Sequence, residues 1–341
     1  MVGEGIDGAG LWDVSGRVAQ PAQSSTKPHI FKPDCAALAE RRSFIMFAKN
    51  AFYFLAGLGF LALAKAKHTV KGYSSPKPFD MSQTQRCIDY DIKVVDEWLS
   101  HLQRYSADEN PIVGKNALEL GPGSDLGIGI YLLSLGCAKY NACDVNDLVK
   151  ITPDIFYEKL FEHLGARGDA AKIDFLREQL AKAKAGIPGQ LNYVVRKDFD
   201  IVAAFGKNSI DLVFSQAAFE HFDDVHKTVE QLSAVCKPNA VVVLEIDLKT
   251  HSRWIRDNDP NNIYRYPSWL YNLFWFRGIP NRVRPYQYVD ALKRCGWTDI
   301  SLRPSGTVKD PVTAYSGLAK VFSDHMNQME MLTITLCARK S

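Results

Sequence analysis

Apolar positions along this chain fall into two kinds of block. From Asn116 onward, short and mostly apolar runs alternate with longer amphipathic ones. The runs 116–120 (NALEL), 139–144 (KYNACD), 191–195 (LNYVV), 210–215 (IDLVFS) and 240–247 (AVVVLEID) have the length and character of strands in a covered sheet. Between and after them, 126–135, 146–184, 223–236 and 286–294 read as helices, and 297–302 (WTDISL) and 331–338 (MLTITLCA) as closing strands. This order predicts an α/β protein with a Rossmann-like seven-stranded, mainly parallel sheet and helices on both faces. The last two runs leave no room for a full crossover helix at the very end, so the final strand is expected to pair antiparallel.

The upstream pattern is different. In 81–105 the residues Ile88, Ile92, Val95, Leu99 and Leu102 recur at steps of three and four, which predicts a helix with one apolar stripe. Ser82 is the expected N-cap, with Gln85 completing a capping box. Residues 71–79 read as a turn-rich linker. The run 44–64, FIMFAKNAFYFLAGLGFLALA, has only Lys49 and Asn50 as strongly polar residues. At about 1.5 Å per residue it is roughly long enough to cross a bilayer. Basic residues flank it on both sides, so they set no orientation. Three readings stay open: a helix packed on the α/β domain as a lid or dimer contact, an interfacial membrane helix, and a true span. Residues before 41 show no sustained apolar period and are expected to be a mobile leader rather than a secretory signal. The expected division is a leader 1–43, a helical N-terminal extension 44–110, and an α/β domain 111–341 with an insertion at 252–288.

Composition narrows the class. With 46% hydrophobic and 23% charged residues, the chain is neither disordered, nor collagen-like, nor a multi-span membrane protein. A net charge of +3 is too small to argue for nucleic acid. The seven cysteines are odd in number and never form a Cys-x-x-Cys pair, so reduced, buried thiols in a cytoplasmic compartment are expected. No His/Cys cluster has zinc-ligand spacing, and no metal is expected from the sequence.

The densest chemistry lies in 118–127, where Leu120 ends a strand, Gly121-Pro-Gly123 makes a turn and a helix follows. Glycines there let the backbone approach a ligand at the carboxyl edge of a parallel sheet. Asp144 ends the next strand, placed for ribose hydroxyls, and Asp198 follows the third, within reach of an adenine amino group; Asp200 is its nearby competitor. A dehydrogenase would want Gly-x-Gly-x-x-Gly, but Gly127 makes the spacing one residue longer.

Taken in order, these motifs resemble the class I S-adenosylmethionine-dependent methyltransferases over residues 112–339. The resemblance rests on Glu119-Leu-Gly121-Pro-Gly123, Asp144, Asp198, the block Asp211-Leu-Val-Phe-Ser215 followed by Glu220-His221, and Lys237-Pro238. It implies S-adenosylmethionine as cofactor, S-adenosylhomocysteine as product, and a cofactor site of Glu119, Gly121, Gly123, Ser124, Asp125, Asp144, Val145, Asp198, Phe199, Ser215 and Gln216. Asp125 stands where many members carry a third glycine, which puts the approach of the helix to the cofactor in doubt. His221, Asp247 and His251 are the expected catalytic residues, because a hydroxyl acceptor benefits from a base. The Asp247-Leu-x-x-His251 run resembles a bacterial subset associated with sugar or envelope modification; metal binding by that pair is the lesser reading. In the insertion, Tyr264, Arg265, Arg282 and Arg284 are the expected contacts for a polar, anionic or carbohydrate substrate. The expected function is methylation of a small or envelope-associated polar molecule, at oxygen first and at nitrogen or sulfur second. A membrane-tethered adaptor without catalysis is the rival from another class. A homodimer and a membrane surface at 44–64 are the expected further partners.

Overall fold

In the computed structural model, which describes residues 35–72, 80, 82–311 and 313–341, the strand–helix alternation is realised nearly run for run. Two helices come first, α1 (Cys35–Lys71) and α2 (Thr84–Ser106). Then follow β1 (Asn116–Leu120), α3 (Gly127–Ser134), β2 (Lys139–Asp144), α4 (Asp154–Leu164), α5 (Ile173–Lys184), β3 (Leu191–Val195), α6 (Ile201–Phe205) and β4 (Ile210–Gln216). The chain closes with α7 (Val225–Val235), β5 (Cys236–Asp247), the short α8 (Arg253–Arg256) and α9 (Ser268–Asn272), α10 (Pro285–Arg294), β6 (Trp297–Thr307) and β7 (Met331–Lys340). The sheet has seven strands in the order β3-β2-β1-β4-β5-β7-β6. Strands β1 to β5 pair parallel, and β7 inserts antiparallel between β5 and β6.

Both faces of the sheet are covered, which is why its strands read as continuous apolar runs. On β1, Ala117 faces a core shared with Trp98, Ile130, Phe156 and Phe214, while Leu118 and Leu120 face Val213, Leu232, Tyr288 and Trp297. Helix α2 belongs to the first of these cores. Ile88, Val95 and Trp98 of its apolar stripe are buried there, and the Trp98 indole stacks on Phe214 at 4.8 Å between centroids. The expected boundary at 110/111 is therefore corrected: the chain divides into units Met1–Met46 and Phe47–Ser341, because α2 packs as part of the α/β domain. The expected Ser82 cap is corrected too. The helix begins at Thr84 after Gln83 without a side-chain cap, and the Ser82 N–H donates to Asp80 instead (2.8 Å). The expected leader falls mostly in 1–34, and the linker at 71–79 mostly in 73–79, outside the described residues.

A third core forms around the insertion after β5. Leu61 of α1 is buried with Ile263, Tyr264, Tyr266, Tyr271 and Phe322, and Phe54 and Leu58 pack against them. Asn262 and Tyr266 donate hydrogen bonds to the α1 carbonyls of Tyr53 (2.9 Å) and Phe54 (3.0 Å). The opposite face of this helix leaves Phe47, Phe52, Leu55 and Leu63 exposed.

Close approach at Gly57 makes this contact testable. A Cβ there would stand 2.0 Å from both Asn262 Oδ1 and Tyr266 Oη, whereas one at Gly59 would meet nothing within 4 Å. Gly57→Ala is expected to destabilise by about 1–3 kcal/mol through overpacking. Gly59→Ala is expected to be neutral or to stabilise by about 0.5–1 kcal/mol through helix propensity. Denaturant unfolding of the two variants separates a docked helix from one that packs on nothing.

Candidate active site

The carboxyl ends of β1, β2, β4 and β5 open on one cavity of about 1150 Å³. Its floor is the turn after β1, where Gly121 and Gly123 hold φ of +72° and +79°, a region that costs glycine nothing. A Cβ at Gly121 would press to 2.9 Å on the Cβ of Ala218, so the turn and the loop after β4 are closely fitted.

Of the expected cofactor residues, Glu119, Gly121, Gly123, Asp125, Asp144, Val145, Asp198, Phe199 and Gln216 line the cavity. Glu119 is buried and accepts a hydrogen bond from the Tyr140 hydroxyl; burial pushes its carboxyl up to about 8. Burial also raises the Asp144 carboxyl above its ordinary value, against backbone N–H groups such as that of Asn146 (2.9 Å). Asp125 accepts from the Gly127 N–H (2.9 Å), so it steadies the first turn of α3 while its side chain borders the cavity. Asp198 sits at the rim. Both of its oxygens are held by Arg196 (2.9 and 2.8 Å), which keeps the carboxyl below its usual range. Phe199, at φ +50°, presents its ring beside Phe222.

Ser124, Ser215 and Asp200 are corrections. Ser124 is buried off the cavity, its carbonyl accepting from Thr152. The Ser215 hydroxyl donates to the Leu120 carbonyl (3.2 Å) and ties β4 to β1. Asp200, the competitor to Asp198, caps α6 through the Ala203 N–H (2.9 Å).

The expected catalytic residues do converge. His221 and His251 approach to 4.7 Å between ring centroids, and both line the cavity with Asp247. The His221 Nδ1–H donates to the Gly278 carbonyl (2.6 Å), which leaves Nε2 as the lone-pair nitrogen. Burial lowers the His221 imidazole, and burial with the neighbouring His221, Arg256 and Lys249 lowers His251 to about 3. Both rings are therefore neutral near pH 7. Asp247 is paired with Arg256 and lies 3.5 Å from Lys249 Nζ, so its charge is compensated. Beside them lies Glu220, fully enclosed, with neither carboxylate oxygen hydrogen-bonded.

The four expected substrate contacts are corrected. Tyr264, Arg265, Arg282 and Arg284 are buried in the third core, away from the cavity. Arg265 is ion-paired with Asp259 (2.6 Å), and Arg284 donates to the carbonyls of Asn327, Gln328 and Met331. Arg282 donates to the Tyr266 carbonyl (2.7 Å) under the Tyr271 ring. Their donors serve backbone carbonyls of irregular loops that have no ladder to join. The insertion reaches the cavity instead through Arg256, Asp257, Arg277 and Gly278. Tyr90 and Asp91 of α2 also line it and were missed; the polar Asp91 inside an apolar stripe was the available signal.

A family model described as a methyltransferase domain matches residues 156–244, from α4 through β5. Over that span the chain carries a methyltransferase domain. The cofactor that its ordered motifs imply is S-adenosylmethionine. The positive-φ glycine turn, the cavity above it and the buried Asp144 at the next strand end are suited to hold that cofactor. No curated protein matches the chain. The methyltransferase domain is similar to several solved structures. One is the CurJ carbon methyltransferase, at 17% identity and TM-score 0.37, covering 68% of this chain and 50% of that one. Another is phosphoethanolamine N-methyltransferase 2 of Haemonchus contortus in complex with S-adenosyl-L-methionine, at 16% identity and TM-score 0.41, covering 72% and 52%. A third is an S-adenosylmethionine-dependent methyltransferase of Mesorhizobium loti, at 16% identity and TM-score 0.38, covering 67% and 92%. The chain spans about half the length of the first two.

Proposed function

We propose that this chain methylates an oxygen of a small polar acceptor. The observation that carries the reading is the pair of imidazoles, His221 and His251, with ring centroids 4.7 Å apart on the wall of the cavity that also holds the glycine turn. An amine or thiol acceptor needs little beyond positioning, whereas a hydroxyl gains from a base beside it. When bound, S-adenosylmethionine supplies an electrophilic methyl group. In this reading the turn at Gly121–Gly123 receives its amino-acid portion, Asp144 its ribose hydroxyls, and Val145 and Phe199 the two sides of its adenine. Gln216 is locked by Trp98 (3.0 Å) and Glu245 (3.1 Å) at the base of the acceptor space. His221 Nε2 is the nitrogen free to take the hydroxyl proton, with the Gly278 carbonyl holding its tautomer. Arg256, Lys249 and Arg277 line the cavity together with Asp247, Asp257 and Glu245, a mixed polar border that favours an acceptor carrying hydroxylated groups.

The apolar outer face of α1 favours an acceptor met at a membrane surface. Phe47, Phe52, Leu55 and Leu63 are exposed, with Lys65, Lys67 and Lys71 close behind in sequence, and His68 of the same helix lines the cavity. An interfacial helix with basic flanks would bring the cavity to an envelope-associated substrate.

Transfer of labelled methyl from S-adenosylmethionine to soluble and membrane extracts, followed by mass spectrometry and NMR of the product, tests the reading. An O-methyl product, found chiefly in the membrane extract, is expected. An N-methyl or S-methyl product would overturn the oxygen assignment, and a product confined to the soluble extract would remove the membrane one.

A further inference from the structure

The enclosed Glu220 has no role in the reaction as described above. It is 2% exposed, and both of its carboxylate oxygens lack a hydrogen-bond partner. Burying a carboxyl without a partner costs several kcal/mol if it is ionised, and about 1–3 kcal/mol even when neutral. Next to it, His251 Nδ1 is also buried without a partner. His251 lines the cavity, and its Nε2 stands 3.9 Å from Oε1 of the enclosed Glu220, so two neighbouring residues with unsatisfied polar atoms call for something that satisfies both.

We propose that Glu220, His221 and His251 bind a divalent first-row transition cation. One ligand atom from each residue lies within 4.8 Å of those of the other two. Two imidazoles and one carboxylate form a ligand set suited to Zn²⁺ or Fe²⁺, with further positions left open for oxygen ligands. Metal–ligand bonds of about 2.1 Å put neighbouring ligands roughly 3.3 Å apart, so the cluster closes by about an ångström or so on binding. Around it the second layer is already in place. Gly278 accepts from His221 Nδ1–H and aims the Nε2 lone pair inward. Asn281 clamps the turn that carries Glu220, its N–H bonding the Glu220 carbonyl (2.7 Å) and its amide the carbonyls of Phe219 and Phe222. Asp247 is not a ligand in this arrangement, since Arg256 and the Lys249 N–H (3.0 Å) engage its oxygens.

The sites among the three residues require the tertiary fold. His251 comes from the loop after β5, and Glu220 and His221 from the turn after β4. No ligand spacing along the sequence announces them. What the ion does rests on the methyltransferase reading. Facing the cavity, its open position takes the acceptor oxygen and lowers the pKa of that hydroxyl. The O–H proton passes to a cavity water, and the new O–CH₃ bond forms as the S–CH₃ bond of the sulfonium breaks, leaving S-adenosylhomocysteine. In that form the imidazoles hold the ion and the proton leaves without them.

The test uses the full chain stripped with a chelator, dialysed against Zn²⁺ and assayed by elemental analysis, with S-adenosylhomocysteine binding measured on the same samples. The expected result is one tightly bound ion per chain in the wild type. Glu220→Gln and His251→Gln are expected to weaken it at least about 10-fold to 100-fold while S-adenosylhomocysteine affinity is kept. A wild type that binds S-adenosylhomocysteine but no zinc overturns the proposal. Zinc retained with unchanged affinity in both variants also overturns it, because the ion then lies elsewhere. Zinc bound without any S-adenosylhomocysteine binding would leave the ion site standing and sink the methyltransferase reading instead.

Discussion

Asp144→Ala is expected to weaken S-adenosylmethionine and S-adenosylhomocysteine binding by at least about 100-fold. The carboxylate stands at the end of β2, 8% exposed and lining the cavity. Ribose hydroxyls would donate to it through two charge-assisted hydrogen bonds, each worth about 1.5–3 kcal/mol, so their joint loss is about two or more orders of magnitude in affinity. Asp144 also accepts the Asn146 N–H, so the alanine variant loosens the turn that follows β2. Asp144→Asn is the control for that effect, because it keeps the size and one acceptor. Titration calorimetry with S-adenosylhomocysteine reads both variants. An alanine variant with wild-type affinity would remove Asp144 from the cofactor site.

His221→Ala and His251→Ala are expected to lower kcat by about two orders of magnitude or more while cofactor affinity stays within a few-fold. The effect follows whether the imidazoles take a proton or hold an ion, since each is within 4.7 Å of the other at the same wall of the cavity. His221→Ala removes the nitrogen that Gly278 orients. His251→Ala removes the ring whose Nε2 stands 3.9 Å from Glu220 Oε1. Single-turnover rates with labelled cofactor check the prediction. Full activity in both variants would show that the cluster serves the fold alone.

Much of one wall of the cavity was legible from the chain, because each residue there is tied to a strand end. Gly121, Gly123 and Asp144 follow apolar runs whose length and spacing announce a parallel sheet, and such sheets bind ligands at their carboxyl edge. Ser215 shows the limit of that logic. It ends the same strand as Gln216, but side chains alternate across a strand, so Gln216 lines the cavity while the Ser215 hydroxyl turns to the Leu120 carbonyl. The arginines of the insertion misled for a different reason. Arg265, Arg282 and Arg284 read as ligands for an anion, yet each satisfies buried groups of its own chain. A mixed aromatic and basic composition is the same for a pocket wall and for a core built from loops.

The sequence by itself determined the alternation of strands and helices and the antiparallel pairing of the last strand, because periodicity and connection length are local properties, and its ordered motifs implied the cofactor through their resemblance to a family. Only the tertiary structure decided that α2 shares a core with β1, that one face of α1 docks on Tyr266 and Asn262, and that Glu220, His221 and His251 meet. Those facts depend on which surfaces two distant segments press together, and a buried carboxylate with no partner leaves no mark in the order of residues.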